Sequence, residues 1–224
     1  MIDHSLLRPD LTAQEIADGL AISRTHRVAS ACARPSDVER AVAELAGSGV
    51  MVSTVIGFPH GSCTTRTKVS EAVEALALGA DELDMVIHIG ALRSRETSYV
   101  AGDIRAVVDA ACGRTVKVIL ENAYLTDEEK VLGCHLAEEA GAQFVKTSTG
   151  YAPGGATLED VALMRATVSP HIGIKAAGGV RTLDVLLAMN RAGATRFGAT
   201  ATVAILDDLR QRHAALVRED AGTS

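Results

Sequence analysis

Two lysines close short apolar segments that each run into glycine: Phe144-Val145-Lys146-Thr147-Ser148-Thr149-Gly150 and Gly173-Ile174-Lys175-Ala176-Ala177-Gly178-Gly179. Burial penalises the charged form of lysine and lowers its pKa, which turns an inert ammonium into a nucleophilic amine. Two such lysines on neighbouring strands are expected to depress each other further. At about 6 Å and an effective dielectric of about 20, like charges repel by roughly 2.8 kcal/mol, or about two pKa units. That is the chemistry of a Schiff-base lysine. A single strand-end lysine ordinarily snorkels into water. A pair with glycine-rich exits on both favours function.

The elements that must position these groups recur along the whole chain. Valine- and isoleucine-rich runs lie at Val28–Ala33, Met51–Gly57, Leu83–Ile87, Val116–Leu120, Phe144–Lys146, Ile172–Lys175 and Thr195–Phe197, with a short first strand near Ile2–Leu6. Continuous apolar runs suit strands buried on both faces, as in parallel sheets. Between them lies helical periodicity, such as the stripe Val69, Ala72, Val73, Leu76 and Ala77. Capping-box patterns at Thr12/Glu15, Ser36/Glu39 and Thr126/Glu129, with a weaker Thr157/Asp160, mark helix starts. Gly79-Ala80, Gly141-Ala142 and Gly193-Ala194 mark helix ends. Eight strand–helix units in 224 residues predict an α/β fold of the (β/α)8 TIM-barrel type. The competitor, a doubly wound open sheet, lacks its glycine fingerprint here. No linker or charge block divides the chain, so residues 1–224 read as one domain.

Composition narrows the function. A net charge of −6 and a pI near 5.6 give no basic footprint for nucleic acid or an anionic membrane. Hydrophobic residues make up 47%, without Trp, so the core must be aliphatic. Cys32, Cys63, Cys112 and Cys134 form no C-x-x-C pair, and the seven histidines make no metal-binding pattern. No signal peptide and no apolar run of membrane length is evident. A cytoplasmic enzyme with reduced thiols, no metal and no cofactor is expected.

Barrels of this kind place their chemistry at the C-terminal ends of the strands. Asp3, Ser5, Cys32, Asp84, Glu121, Lys146 and Lys175 are the polar residues there. Asp84 interrupts an apolar strand, where a carboxylate needs a partner. An ion pair with one of the lysines would serve equally as structure. Gly178-Gly179 and Gly198-Ala199-Thr200 follow the last two strands and suit a phosphate, with Arg181 close by.

The stretches Ile2–Leu7, Thr54–Pro59, Ala80–Ile87, Val116–Glu121, Phe144–Gly150 and Lys175–Arg181 together resemble the deoxyribose-phosphate aldolase family over nearly the whole chain. The resemblance implies a metal-free class I aldolase that reversibly cleaves 2-deoxy-D-ribose 5-phosphate to acetaldehyde and D-glyceraldehyde 3-phosphate, in deoxyribonucleoside catabolism. It implies that Lys146 forms the Schiff base, that Lys175 lowers its pKa, and that Asp84 is the general acid/base. Asp3, Ser5, Cys32, Thr147 and Thr149 would meet the substrate. Gly150, Gly178, Gly179, Arg181, Gly198, Ala199 and Thr200 would hold the phosphate. A phosphosugar and aldehydes are the implied partners, and a homo-oligomer, dimer or tetramer, is the expected assembly.

The chain departs from that family in places. His88 stands where Asn is usual, Ala177 replaces a frequent serine, and Thr200-Ala201 stands where serines are common. The chain also begins at the first strand, without the usual N-terminal covering helix. Rival readings are a transaldolase-like enzyme, a sugar-phosphate isomerase and a non-catalytic phosphosugar-binding barrel. An isomerase needs no second lysine, and a binding protein has no reason to keep Asp84 with both lysines.

Overall fold

Side chains alternate across a strand, so Glu82-Leu83-Asp84-Met85 must send its carboxylates one way and its apolar residues the other. A computed structural model, which describes residues 1–222, shows where each face goes. The strands are β1 (Ile2–Leu6), β2 (Ser30–Ala33), β3 (Met51–Ile56), β4 (Glu82–Val86), β5 (Thr115–Ile119), β6 (Phe144–Lys146), β7 (Gly173–Ala177) and β8 (Arg196–Ala199). All pair in parallel in sequence order, and β1 pairs with β8 to close the barrel. The chain folds as a (β/α)8 TIM barrel.

Leu83, Met85, Val116, Val118, Val145, Ile174 and Ala176 are fully buried between the strands and the helical shell. They join helix residues such as Ile104, Val107, Val161 and Met164 in one core. The opposite face of these strands is charged. The runs expected to be apolar on both faces are therefore amphipathic, with their polar side enclosed by the barrel. Period-2 alternation was present in the sequence of β4 and β5 and distinguishes the two cases.

The capping boxes at Thr12/Glu15 and Thr126/Glu129 form in both directions, and Thr157 caps Asp160 N–H. Ser36/Glu39 does not. Pro35 opens a 3-10 turn over Pro35–Asp37, and Asp37 is drawn to Arg34 at 2.6 Å. His88 takes over a cap: its Nδ1 accepts from Ala91 N–H at 3.1 Å, the service an Asn side chain would give.

The apolar stripe expected at Val69–Ala77 is also rotated. The buried face of the helix Thr65–Ala77 is Lys68, Ala72 and Ala75, whereas Val73 is 54% exposed. Lys68 occupies the core side because Asp103 accepts from its Nζ at 2.6 Å and the Val86 carbonyl at 2.8 Å. Paired burial costs little when both partners are satisfied, and a hydropathy count cannot see it.

Candidate active site

The register sets the site. Lys146 on β6 lies directly beside Lys175 on β7, and Asp84 on β4 lies beside Lys117 on β5. Like charges on adjacent strands repel, so a carboxylate must stand between them. Asp84 does so. Its Oδ2 accepts from Lys146 Nζ at 2.8 Å and from Lys175 Nζ at 2.6 Å, while Oδ1 accepts from Lys117 Nζ at 2.9 Å. Lys117 also donates to Glu82 Oε2 at 2.7 Å. Arg196 bridges Glu82 Oε1 and Asp3 Oδ1, each at 2.7 Å. Lys175 Nζ pairs with Asp3 Oδ2 at 2.5 Å.

Charge follows from this geometry. Burial raises the Asp84 pKa, but Lys117, Lys146 and Lys175 outweigh it and hold the carboxylate well below its ordinary value. Burial pulls Lys175 down, but Asp3 and Asp84 more than restore it, so Lys175 is held more firmly as an ammonium than a free lysine. Lys146 goes the other way: burial lowers it, and Asp84 does not make up the loss against Lys175. The two lysines were expected to depress each other. The structure corrects this to an asymmetric pair, because Asp3 pairs with Lys175 and not with Lys146.

A cavity of about 470 Å³ opens at the C-terminal end of the barrel, lined by Lys146 and Lys175 at its base. Of the other expected residues it gathers Asp3, Ser5, Cys32, Thr149, Gly150, Gly178, Gly179, Arg181, Gly198, Ala199 and Thr200. Burial and then Asp84 push the Cys32 thiol up, which keeps it protonated. Gly178 and Gly179 have φ of 82° and 89°. A Cβ on Gly155 would come within 2.3 Å of the Gly178 carbonyl, so two backbones meet here in a way only glycine allows.

Three expected residues stand apart from the cavity wall. Thr147 does not line the cavity; its hydroxyl donates to the Ala177 carbonyl and accepts from the Ala177 N–H, both at 3.1 Å. Its place next to Lys146 in the sequence puts it on the other side of the strand. Asp84 is fully buried beneath the lysines and reaches the cavity through them. Glu121, at the end of β5, turns away to accept from Thr149 N–H and Oγ1.

Sequence reasoning missed Lys117, Glu82 and Arg196. Glu82 and Arg196 open their strands, where a search of strand ends does not look, and Lys117 lies level with Asp84 between two valines. Their signal is period-2 spacing: Glu82 is two residues before Asp84, and Lys117 stands between Val116 and Val118. Among the described residues, no three His, Cys, Asp or Glu side chains are grouped to hold a metal ion. No helix among them is long and apolar enough to cross a membrane.

Known proteins match this chain in sequence and in fold. The family model described as DeoC/LacD family aldolase covers residues 1–208. The chain belongs to the DeoC/LacD aldolase family. A deoxyribose-phosphate aldolase from Listeria monocytogenes is 53% identical over 207 residues, covering 92% of this chain and 93% of that one. Among solved structures, the aldolase designated QR15 superposes with a TM-score of 0.91 at 37% identity and 96% of each chain. The tetrameric deoxyribose phosphate aldolase from Aeropyrum pernix gives 0.87 at 30% identity, covering 93% of this chain and 89% of that one. This aldolase-family chain therefore shares both its barrel and most of its length with these enzymes.

One buried histidine at the mouth carries a stability prediction. His4 lines the cavity with Nδ1 2.8 Å from Thr202 Oγ1, and burial, then His26, lowers its pKa to about 4. Between about pH 6.5 and 4 the unfolded chain binds a proton there that the folded protein does not. Stability should therefore fall by about 2–3 kcal/mol as pH drops through that window. His4→Gln should remove this part of the slope in urea unfolding measured at several pH values. An unchanged slope would show that His4 titrates normally.

Proposed function

We propose that the chain is a class I aldolase that reversibly cleaves 2-deoxy-D-ribose 5-phosphate to acetaldehyde and D-glyceraldehyde 3-phosphate. The observation that carries the reading is Lys146: a lysine on the cavity wall, with its pKa lowered, sharing one carboxylate oxygen with a firmly protonated neighbour. The free amine of Lys146 attacks the aldehyde at C1, and loss of water leaves a protonated imine. That imine draws the C2–C3 bonding electrons as the C3 hydroxyl proton passes through a water to the Asp84 carboxylate, beside the Lys175 ammonium. The resulting enamine takes a proton at C2, and hydrolysis releases acetaldehyde and regenerates Lys146. The imine is the electron sink, so the reading calls for no metal or organic cofactor.

Acetaldehyde followed by borohydride should add an ethyl group of about 28 Da to Lys146 and to no other lysine. Peptide mass mapping reads this directly. Label mainly on Lys175 would reverse the roles, and no label would end the Schiff-base reading.

The phosphate is assigned to Gly178, Gly179, Gly198, Ala199, Thr200 and the exposed Arg181 at the rim. Charge-assisted hydrogen bonds from such a cradle are each worth about 1.5–3 kcal/mol. Deoxyribose 5-phosphate should be preferred over deoxyribose by at least about 100-fold in kcat/KM, or about 2.7 kcal/mol. Arg181→Ala should raise KM for the phosphorylated sugar and leave the free sugar unaffected. Equal efficiency on both sugars would refute the cradle and leave the aldolase chemistry standing. The single-domain reading of residues 1–224 and a homo-oligomeric state are part of the proposal. Light scattering on the purified protein tests the second.

A further inference from the structure

Beside Lys146, the barrel encloses a closed circuit of alternating charge. It runs from Arg196 to Asp3, to Lys175, to Asp84, to Lys117, to Glu82 and back to Arg196. Each step is 2.9 Å or shorter. Three cations and three carboxylates alternate, so the circuit is neutral by itself. Lys146 is outside it, attached only through Asp84. A seventh charge in a buried, already balanced cluster has nothing left to neutralise it.

We propose that Arg196 is a positioning residue for the Schiff-base lysine: by closing the neutral circuit on the barrel floor, it leaves Lys146 as the surplus cation and hence as free amine. This rests on the assignment of Lys146 as the Schiff-base residue. Arg196 acts at a distance, since it touches Asp3 and Glu82 but not Lys146, and it does not line the cavity. The arginine is suited to closing the circuit because its planar fork meets two carboxylates at once and does not lose its proton. Phe144 carries the guanidinium, which lies 5.8 Å from the ring centroid. Other groups that bear on Lys146 are the thiol of Cys32 on β2 and the carboxylate of Glu121 after β5. Neither belongs to the circuit. The amine of Met1 feels Arg196 and Asp3 but belongs to a largely exposed residue, so water screens it.

The circuit makes opposite predictions for its two floor residues. Arg196→Met leaves three carboxylates and two cations, so Lys146 becomes the missing cation and keeps its proton. The acid limb of the kcat/KM profile should move up by at least about one pH unit, with about a tenfold loss at neutral pH. Glu82→Gln removes a negative charge instead, so its acid limb should stay or move down. The double variant Arg196→Met/Glu82→Gln has a neutral remnant and should recover the wild-type acid limb. Arg196→Lys, which keeps the charge, should retain it as well.

Borohydride trapping at Lys146 in the wild-type protein is the control. Failure there removes the catalytic assignment; success there, with an Arg196→Met acid limb like the wild type's, overturns the inference alone. An upward shift that Glu82→Gln does not reverse would also overturn it, because a merely structural clamp predicts no compensation. Should Arg196→Met not fold, as judged by circular dichroism, Glu82→Gln and the double variant decide. An upward shift in either overturns the proposal, and a wild-type or lower acid limb in both supports it.

Discussion

Lys146→Met should lose activity by at least about four orders of magnitude while the barrel stays as stable as before or gains stability. The first part follows from removing the nucleophile. The second follows from the charge count around Asp84. Lys117 and Lys175 already satisfy both carboxylate oxygens, so Lys146 is not needed to neutralise them. Its folded pKa is lowered, so the unfolded chain binds its proton more tightly and is favoured throughout the neutral range. Methionine of similar length removes that cost, which is the ordinary trade between activity and stability. Lys117→Met is the contrast. It breaks an ion pair at 0% side-chain exposure and should cost about 3–5 kcal/mol. Thermal or urea unfolding of the two variants separates the cases. Destabilisation by Lys146→Met as large as that by Lys117→Met would make Lys146 a structural cation.

Lys175→Leu should reduce kcat/KM by about two to four orders of magnitude in a protein that still folds. Without this ammonium, Asp3 keeps Arg196 at 2.7 Å and Lys117 at 4.0 Å, and Asp84 turns to Lys146. Lys146 then holds its proton more tightly, and the residual activity should need a higher pH. Stability carries an independent sign. The folded pKa of Lys175 is raised, so its contribution is present below the unfolded value near about 10.4 and is lost as pH rises through the folded one. The variant should therefore be less stable at every ordinary pH, with the difference closing only in strong alkali. Lys175→Arg should keep much of the stability and little of the proton transfer. Wild-type activity in Lys175→Leu with an unmoved profile would show that the second lysine is structural.

These expectations rest on features that differ in how far a sequence can display them. Strand–helix alternation, the Gly-Ala helix ends and the boxes at Thr12 and Thr126 are local, and they set eight units without reference to anything distant. Lys146, Lys175 and Asp84 were legible because a charge in an apolar strand contradicts its surroundings. The glycine-rich turns after β7 and β8 were legible because backbone conformation restricts residue type. Lys117 was visible as a letter but not as a member of the site. Its flanking valines made the strand count as apolar, and only barrel closure determines that its face points inward.

The asymmetry of the two lysines could not be read from the chain at all. Both sit in nearly identical local patterns, and pairwise repulsion treats them alike. What separates them is Asp3, 172 residues from Lys175 in sequence, brought to 2.5 Å when β1 closes against β8. The sequence by itself determined that Lys146, Lys175 and Asp84 would sit in buried strands and roughly where each strand would end. Tertiary structure decided which carboxylate serves which cation, because Coulomb energy depends on through-space distance and dielectric, and neither is a property of neighbours along the chain.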